Sequence, residues 1–138
     1  MTKFLRLFLI YLFLLLPGAS CDRPLFVDCD ECYTEEPFEV ELLVTVTINS
    51  ENSRVPLTIY QGTFDKGEEI ARDTITTESF YIFVKTKKLY TAVAEYRKNG
   101  KIIKVVNSHK INTYLDRESC DNPCFVVTGT TLDARLKF

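Results

Sequence analysis

Leu89-Tyr90-Thr91-Ala92-Val93-Ala94-Glu95-Tyr96-Arg97-Lys98-Asn99-Gly100-Lys101-Ile102-Ile103-Lys104-Val105-Val106-Asn107 decides the fold. Two runs rich in β-branched and aromatic residues, Leu89 to Arg97 and Lys101 to Asn107, meet at Asn99-Gly100. Asn-Gly accepts the positive φ angles of a type I′ turn, whose twist matches that of a β-hairpin. A two-residue loop dictates the register. Lys98 faces Lys101, Tyr96 faces Ile103, Glu95 faces Lys104 and Ala94 faces Val105. Ala94 and Tyr96 then share one face with Ile103 and Val105, while Glu95 and Lys104 pair on the other.

Working outward, the same period of two recurs. Phe38, Val40, Leu42, Val44, Val46 and Ile48 alternate with Glu39, Glu41, Leu43, Thr45 and Thr47, which predicts a long strand with one buried face. Asn49 to Ser53 is a loop by composition. Val55, Leu57 and Ile59 predict a strand, and Pro56, which has no N–H, places it at a sheet edge or at a bulge. Turn residues fill Gly62 to Gly67. Residues 68–76 read as a weaker strand carried by Ile70 and Ile75. Phe80 to Val84 is apolar on both faces. Ile111 to Leu115, Phe125 to Thr128 and Leu132 to Phe138 complete the strands, with a loop from Asp116 to Pro123 and a break at Gly129. No segment carries a helical period with caps. Many short strands separated by turn residues predict one all-β domain over 37–138, an antiparallel β-sandwich.

The other end of the chain reads differently. Met1 to Arg6 holds two cations, Leu7 to Leu16 is unbroken apolar sequence, and Pro17-Gly18-Ala19-Ser20 leads to Cys21. A basic start, a short apolar run and small residues describe a secretory signal. The run is shorter than the ~20 residues that span a bilayer. Residues 1–20 are therefore expected to be cleaved. Residues 21–36 are acidic and contain Pro24, with Asp22, Asp28, Asp30, Glu31, Glu35 and Glu36 in quick succession, and read as a tether. The chain carries 17 Lys and Arg against 19 Asp and Glu, and two of the cations lie in 1–20. That acidity argues against a nucleic-acid partner, which favours a basic face.

Gly18-Ala19-Ser20-Cys21 resembles the lipobox of bacterial lipoproteins, in its looser Bacteroidota-type form, with Gly18 where a Leu is usual. The resemblance implies a lipid on Cys21, and hence a membrane partner at the cell envelope, the outer membrane first. Ordinary signal-peptidase cleavage is the competing reading. Cysteine parity favours lipidation: of five cysteines, Cys21 is the odd one, leaving Cys29, Cys32, Cys120 and Cys124. The segments Arg54 to Gly62, Phe80 to Val84 and Leu89 to Tyr96 are similar to the immunoglobulin-like or transthyretin-like modules of such envelope lipoproteins. This implies a binding or structural module with no catalytic residue to carry over. An envelope protein is then a further expected partner.

Chemistry has few candidates. Cys29-Asp30-Glu31-Cys32 and Cys120-Asp121-Asn122-Pro123-Cys124 admit three readings. Disulfides suit an exported chain. Four zinc thiolates fit in ligand type, though the second pair has an extra spacer residue. A redox pair needs a positive setting, whereas Asp28, Asp30 and Glu31 are negative. The rival to a binding module is thus a small envelope enzyme or a zinc or thiol protein using these four cysteines. His109, the only histidine, sits in polar sequence with nothing nearby to complete a triad. Glu35-Glu36 and Glu68-Glu69 look solvated, and the acidic tether lacks the ligand order of a calcium loop. No catalytic residue, metal site or cofactor is therefore assigned. Tyr60, Tyr81 and Phe83 each oppose an inward-facing set and are candidates for one exposed aromatic patch. In sandwiches of the kind resembled, first and last strands often run parallel side by side. On that ground each of Cys29 and Cys32 is expected to bond to one of Cys120 and Cys124.

Overall fold

The Asn99-Gly100 hairpin forms in the expected register. A computed structural model describes residues 26–137 and pairs β5 (Leu89–Lys98) with β6 (Lys101–Lys110), Lys98 opposite Lys101 and Tyr96 opposite Ile103. Asn99 and Gly100 have φ of 52° and 73°, both left-handed, as a type I′ turn requires. Lys104 and Glu95 form an ion pair of 2.9 Å across the two strands. Residues 1–20 and Cys21 lie outside the described residues.

Around this hairpin the described residues form nine strands and no helix. β1 is Glu39–Thr45, β2 Val55–Gln61, β3 Glu68–Ile75 and β4 Ser79–Lys85. β7 is Asn112–Asp116, β8 Cys124–Thr128 and β9 Thr131–Asp133. One sheet runs β3-β2-β5-β6, the second runs β4-β1-β9, and β7-β8 form a separate hairpin. The two larger sheets enclose one core, and the fold is a β-sandwich. Leu42 and Val44 of β1, Leu57 and Ile59 of β2, Ala92 and Ala94 of β5 and Leu132 of β9 are fully buried within it. A fully buried Leu or Ile contributes about 1.5–3 kcal/mol relative to exposure. All strand pairs are antiparallel except β1 with β9, which run parallel over Leu43 to Thr45.

β6 and β7 are nearly continuous. The chain changes sheets at Ile111, which is fully buried and donates its N–H to the Lys88 carbonyl at 2.9 Å. β8 and β9 are separated at Gly129, where φ is 80°.

Buried polar groups join the layers. The Tyr96 hydroxyl donates to the Ala134 carbonyl at 2.6 Å and accepts the Thr47 N–H at 3.0 Å. It thus ties β5 to the segments that follow β1 and β9. Burial raises its pKa, so the proton that makes the donor bond is retained at any ordinary pH. Tyr96→Phe should leave both backbone groups unpaired in the core and cost about 1–3 kcal/mol. Urea denaturation checks this, and an unchanged midpoint would contradict it.

Four expectations are corrected. Phe38 is 69% exposed: it precedes β1, and Lys85 Nζ lies 5.4 Å above its ring. The ladder of β1 ends at Thr45, although Val46 stays buried and Ile48 packs on the core. β2 is an interior strand despite Pro56, because position 56 falls opposite Glu95 at the end of the β5 ladder, where the missing N–H omits one bond at the margin and not within the sheet. Beyond that point the Asn52 side chain takes over, its Nδ2 donating to the Arg97 carbonyl at 3.0 Å and its Oδ1 accepting the Arg97 N–H at 2.7 Å. The bulge of this sheet lies instead between Ile59 and Tyr60, and Ile70, with no opposite number there, is 38% exposed.

Candidate functional site

Two turns bring the four cysteines together. In the first, the Asp28 carbonyl accepts the Glu31 N–H at 3.2 Å and Asp28 Oδ1 accepts the Asp30 N–H at 3.0 Å. In the second, Asp116 Oδ1 accepts the N–H groups of Glu118 and Ser119 at 3.1 and 2.8 Å, closing the β7–β8 loop. Aspartate does this readily because its short side chain mimics a backbone acceptor in a turn. Cys29 bonds to Cys120 and Cys32 to Cys124. Next to the bridges Tyr33 and Phe125 exchange backbone hydrogen bonds of 3.0 and 2.7 Å, so the segment pairs with β8 for one residue.

The connectivity agrees with the expectation, but its structural basis differs in part. The strand that pairs parallel with β1 is β9, whereas the strand that follows Cys124 is β8, and β8 pairs with β7. The bridges therefore fasten residues 29–32 to the small hairpin at the margin of the sandwich. Residues 29–36 are accordingly not a free tether. Glu36 adds a further hold. Its carboxylate pairs with Lys87 at 2.7 Å and accepts a hydrogen bond from the Thr113 hydroxyl. The Lys87 ammonium, and then Thr113, hold its pKa below the ordinary value. A depressed carboxylate pKa means this contact is fully made above the ordinary carboxylate range and is lost as the pH falls below it.

The pinned segment forms one wall of a groove of about 950 Å³. Residues 26–33 make that wall, Val126 to Thr131 make the opposite one, and Glu41 and Leu43 of β1 with Tyr81 of β4 lie between them. Its apolar groups include Phe26, Val27, Tyr33, Leu43, Tyr81 and Val126, and its acids are Asp28, Asp30, Glu31 and Glu41. Phe26 is 90% exposed at this position.

The three aromatic candidates do not form one patch. Tyr81 and Phe83 lie on the outer face of the β4-β1-β9 sheet, exposed by 56% and 72%. Tyr60 belongs to β2 in the opposite sheet and makes an edge-on contact with Phe64, ring centroids 5.8 Å apart. The period of two correctly turns all three away from the core. It carries no information on which sheet each strand joins, and so the sandwich separates them. The groove escaped the sequence for the same reason, since its walls come from residues some 100 positions apart.

His109 lies exposed on β6. The sulfurs of Cys32, Cys120 and Cys124 lie within 4.8 Å of one another, and all three are engaged in disulfides. Two disulfides point to an extracytoplasmic, oxidising location. Comparison with protein-family models, with curated proteins and with solved structures finds no match for this chain.

Proposed function

We propose that this protein is a lipid-anchored, non-catalytic binding or scaffolding module of a bacterial cell envelope, facing the periplasm or the cell surface, with the acid-rimmed groove as its ligand face. The observation that carries this reading is the double bridge. It fastens residues 29–32 to the domain and holds one wall of the groove in place. A groove wall held covalently to the domain keeps its shape when a ligand binds, as a binding module needs. Apolar groups between acidic ones select a partner with apolar side chains and positive charge.

The anchor is tested by Cys21→Ser. Several acyl chains, at ~0.8 kcal/mol per buried CH₂, hold a protein on a membrane almost irreversibly. The variant should leave the membrane fraction, and the mass of the mature chain should lose a diacylglyceryl adduct. Unchanged partitioning would remove the anchor from this reading. The rival reading, a zinc or thiol protein or small enzyme, draws on the closeness of three sulfurs. The same intact-mass measurement separates the two: two disulfides support the module, and four thiols with bound zinc support the rival.

A further inference from the structure

Among the described residues β4 is the one long edge strand of the sandwich with no charged residue between its two ends. The β3 edge carries Glu68, Glu69, Arg72 and Asp73, and the β6 edge carries Lys101, Lys104 and Lys110. Charged edges resist pairing with other chains. β4 reads Ser79-Phe80-Tyr81-Ile82-Phe83-Val84-Lys85, pairs with β1 on one side, and has no second strand beside it among the described residues.

The backbone pattern shows which groups face the open side. Val46 N–H bonds the Glu78 carbonyl and Thr86 N–H bonds the Phe38 carbonyl, each at 2.9 Å. In an antiparallel ladder such pairs recur at every second residue, so Phe80, Ile82 and Val84 direct their N–H and C=O to β1. Ser79, Tyr81, Phe83 and Lys85 direct theirs outward. The carbonyls of Ser79 and Lys85 are taken by the hydroxyls of Thr77 and Tyr90, each at 2.9 Å. Tyr81 and Phe83 are left holding out a donor and an acceptor each.

We infer that this edge pairs with β4 of a second copy of the chain, antiparallel about a two-fold axis at Ile82. In that register Tyr81 of each copy faces Phe83 of the other, and the two pairs exchange four backbone hydrogen bonds. Ile82 faces Ile82, and Phe80 faces Val84. The half-buried Phe80 and Ile82 gain cover from their counterparts. The residue pattern about Ile82 is symmetric in character, which suits a second copy better than an unrelated strand. Charge agrees. Each Lys85 faces a Ser79, so no like charges meet, and each Glu78 comes opposite Thr86, between Lys85 and Lys87 of the other copy. The outcome is a continuous six-stranded sheet, and its isologous contact closes at two.

A contact along one strand edge falls in the class below the ~1,200 Å² of a standard interface, for which weak association, on the order of 100 μM, is expected. The test uses the full-length protein. Ile82→Cys places two thiols at a non-hydrogen-bonded pair, where Cα atoms are about 4.5 Å apart, within disulfide reach. It should form a covalent homodimer at least tenfold faster than Thr74→Cys, placed on the exposed part of β3. Adding Tyr81→Lys and Phe83→Lys, both at solvent-facing positions, sets like charges opposite each other and should slow that cross-link at least tenfold. Intact mass showing both native bridges confirms that each variant is folded. Sedimentation of the unsubstituted protein should show a concentration-dependent dimer that the double lysine variant lacks. Equal cross-linking at positions 74 and 82, cross-linking of Ile82→Cys to a different protein, or a monomer up to several hundred μM would each overturn the inference.

Discussion

Cys29→Ser/Cys32→Ser should destabilise the domain by roughly 7 kcal/mol, the largest effect expected of any change described above. The first bridge closes a loop of 91 residues in the unfolded chain. The chain-entropy relation rates such a closure at about 4.6 kcal/mol. The second bridge spans 92 residues in sequence, but with the first in place it closes only the short ring between the two pairs. A ring of about seven residues adds a little over 2 kcal/mol by the same relation. The sum is comparable to the whole stability of an ordinary domain, ~5–15 kcal/mol. The variant should therefore be partly or wholly unfolded at 37 °C. Either bridge alone should rescue most of the loss, because the long loop is then closed once. Urea denaturation of the double variant and of the two single-bridge forms measures this. A double variant within about 1 kcal/mol of the parent would mean that the Tyr33–Phe125 and Glu36–Lys87 contacts already confine the segment.

Gly129→Ala should cost about 3 kcal/mol or more, far above the usual effect of adding one methyl group. Two independent faults combine. The position has φ of 80°, which an L side chain rarely adopts. A Cβ built there would also lie 2.3 Å from the Lys110 carbonyl oxygen. That oxygen belongs to backbone at the end of β6 and cannot swing aside as a side chain can. Gly100 supplies the control. Its φ is 73°, yet nothing lies within 4 Å of where its Cβ would be. Gly100→Ala should thus show the conformational cost alone, about 1–2 kcal/mol, and Gly100→Val somewhat more. The denaturation midpoints of the two alanine variants, compared at constant m, separate strain from collision. Equal losses would show that the chain relaxes around Gly129 and that the close approach to Lys110 is not obligatory.

What the sequence reveals about this fold follows from the range of each cause. The hairpin is legible to the residue because its determinants, Asn99, Gly100 and the alternation on either side, lie within some twenty positions. The buried stripe of β1 is legible because a period of two needs no partner to be recognised. Pro56 is read correctly as a residue that cannot donate. The strand is nonetheless central, since Asn52 and the early end of the β5 ladder relieve the constraint, and neither is visible as a motif. Thr91 and Val93 are buried although they alternate with the inward-facing Ala92 and Ala94, so β5 is covered on both faces. Only the packing shows this. For Thr91 part of the cover is the loop after β2, where the Gly62 carbonyl accepts its hydroxyl at 2.6 Å. The cysteine pairing agrees with what the resemblance implied, although the strand beside β1 is β9 and not the strand that carries Cys124. The groove beside it was not legible, because a groove is a relation between surfaces rather than between neighbours in sequence.

The double bridge also decides where mechanical load travels. Tension applied to the chain before Cys29 reaches Cys120 through a covalent bond and bypasses everything between them. Strands β1 to β7, residues 39–116, all lie inside that closed ring. A pull between the two ends of the domain then runs along the chain only through β8, β9 and the short segment after them, and it reaches the other seven strands only through their contacts with these two. The parallel contact of β1 with β9, three residues long, becomes the element placed in shear. The sandwich can thus hold its shape under a force that would peel it open in the reduced chain.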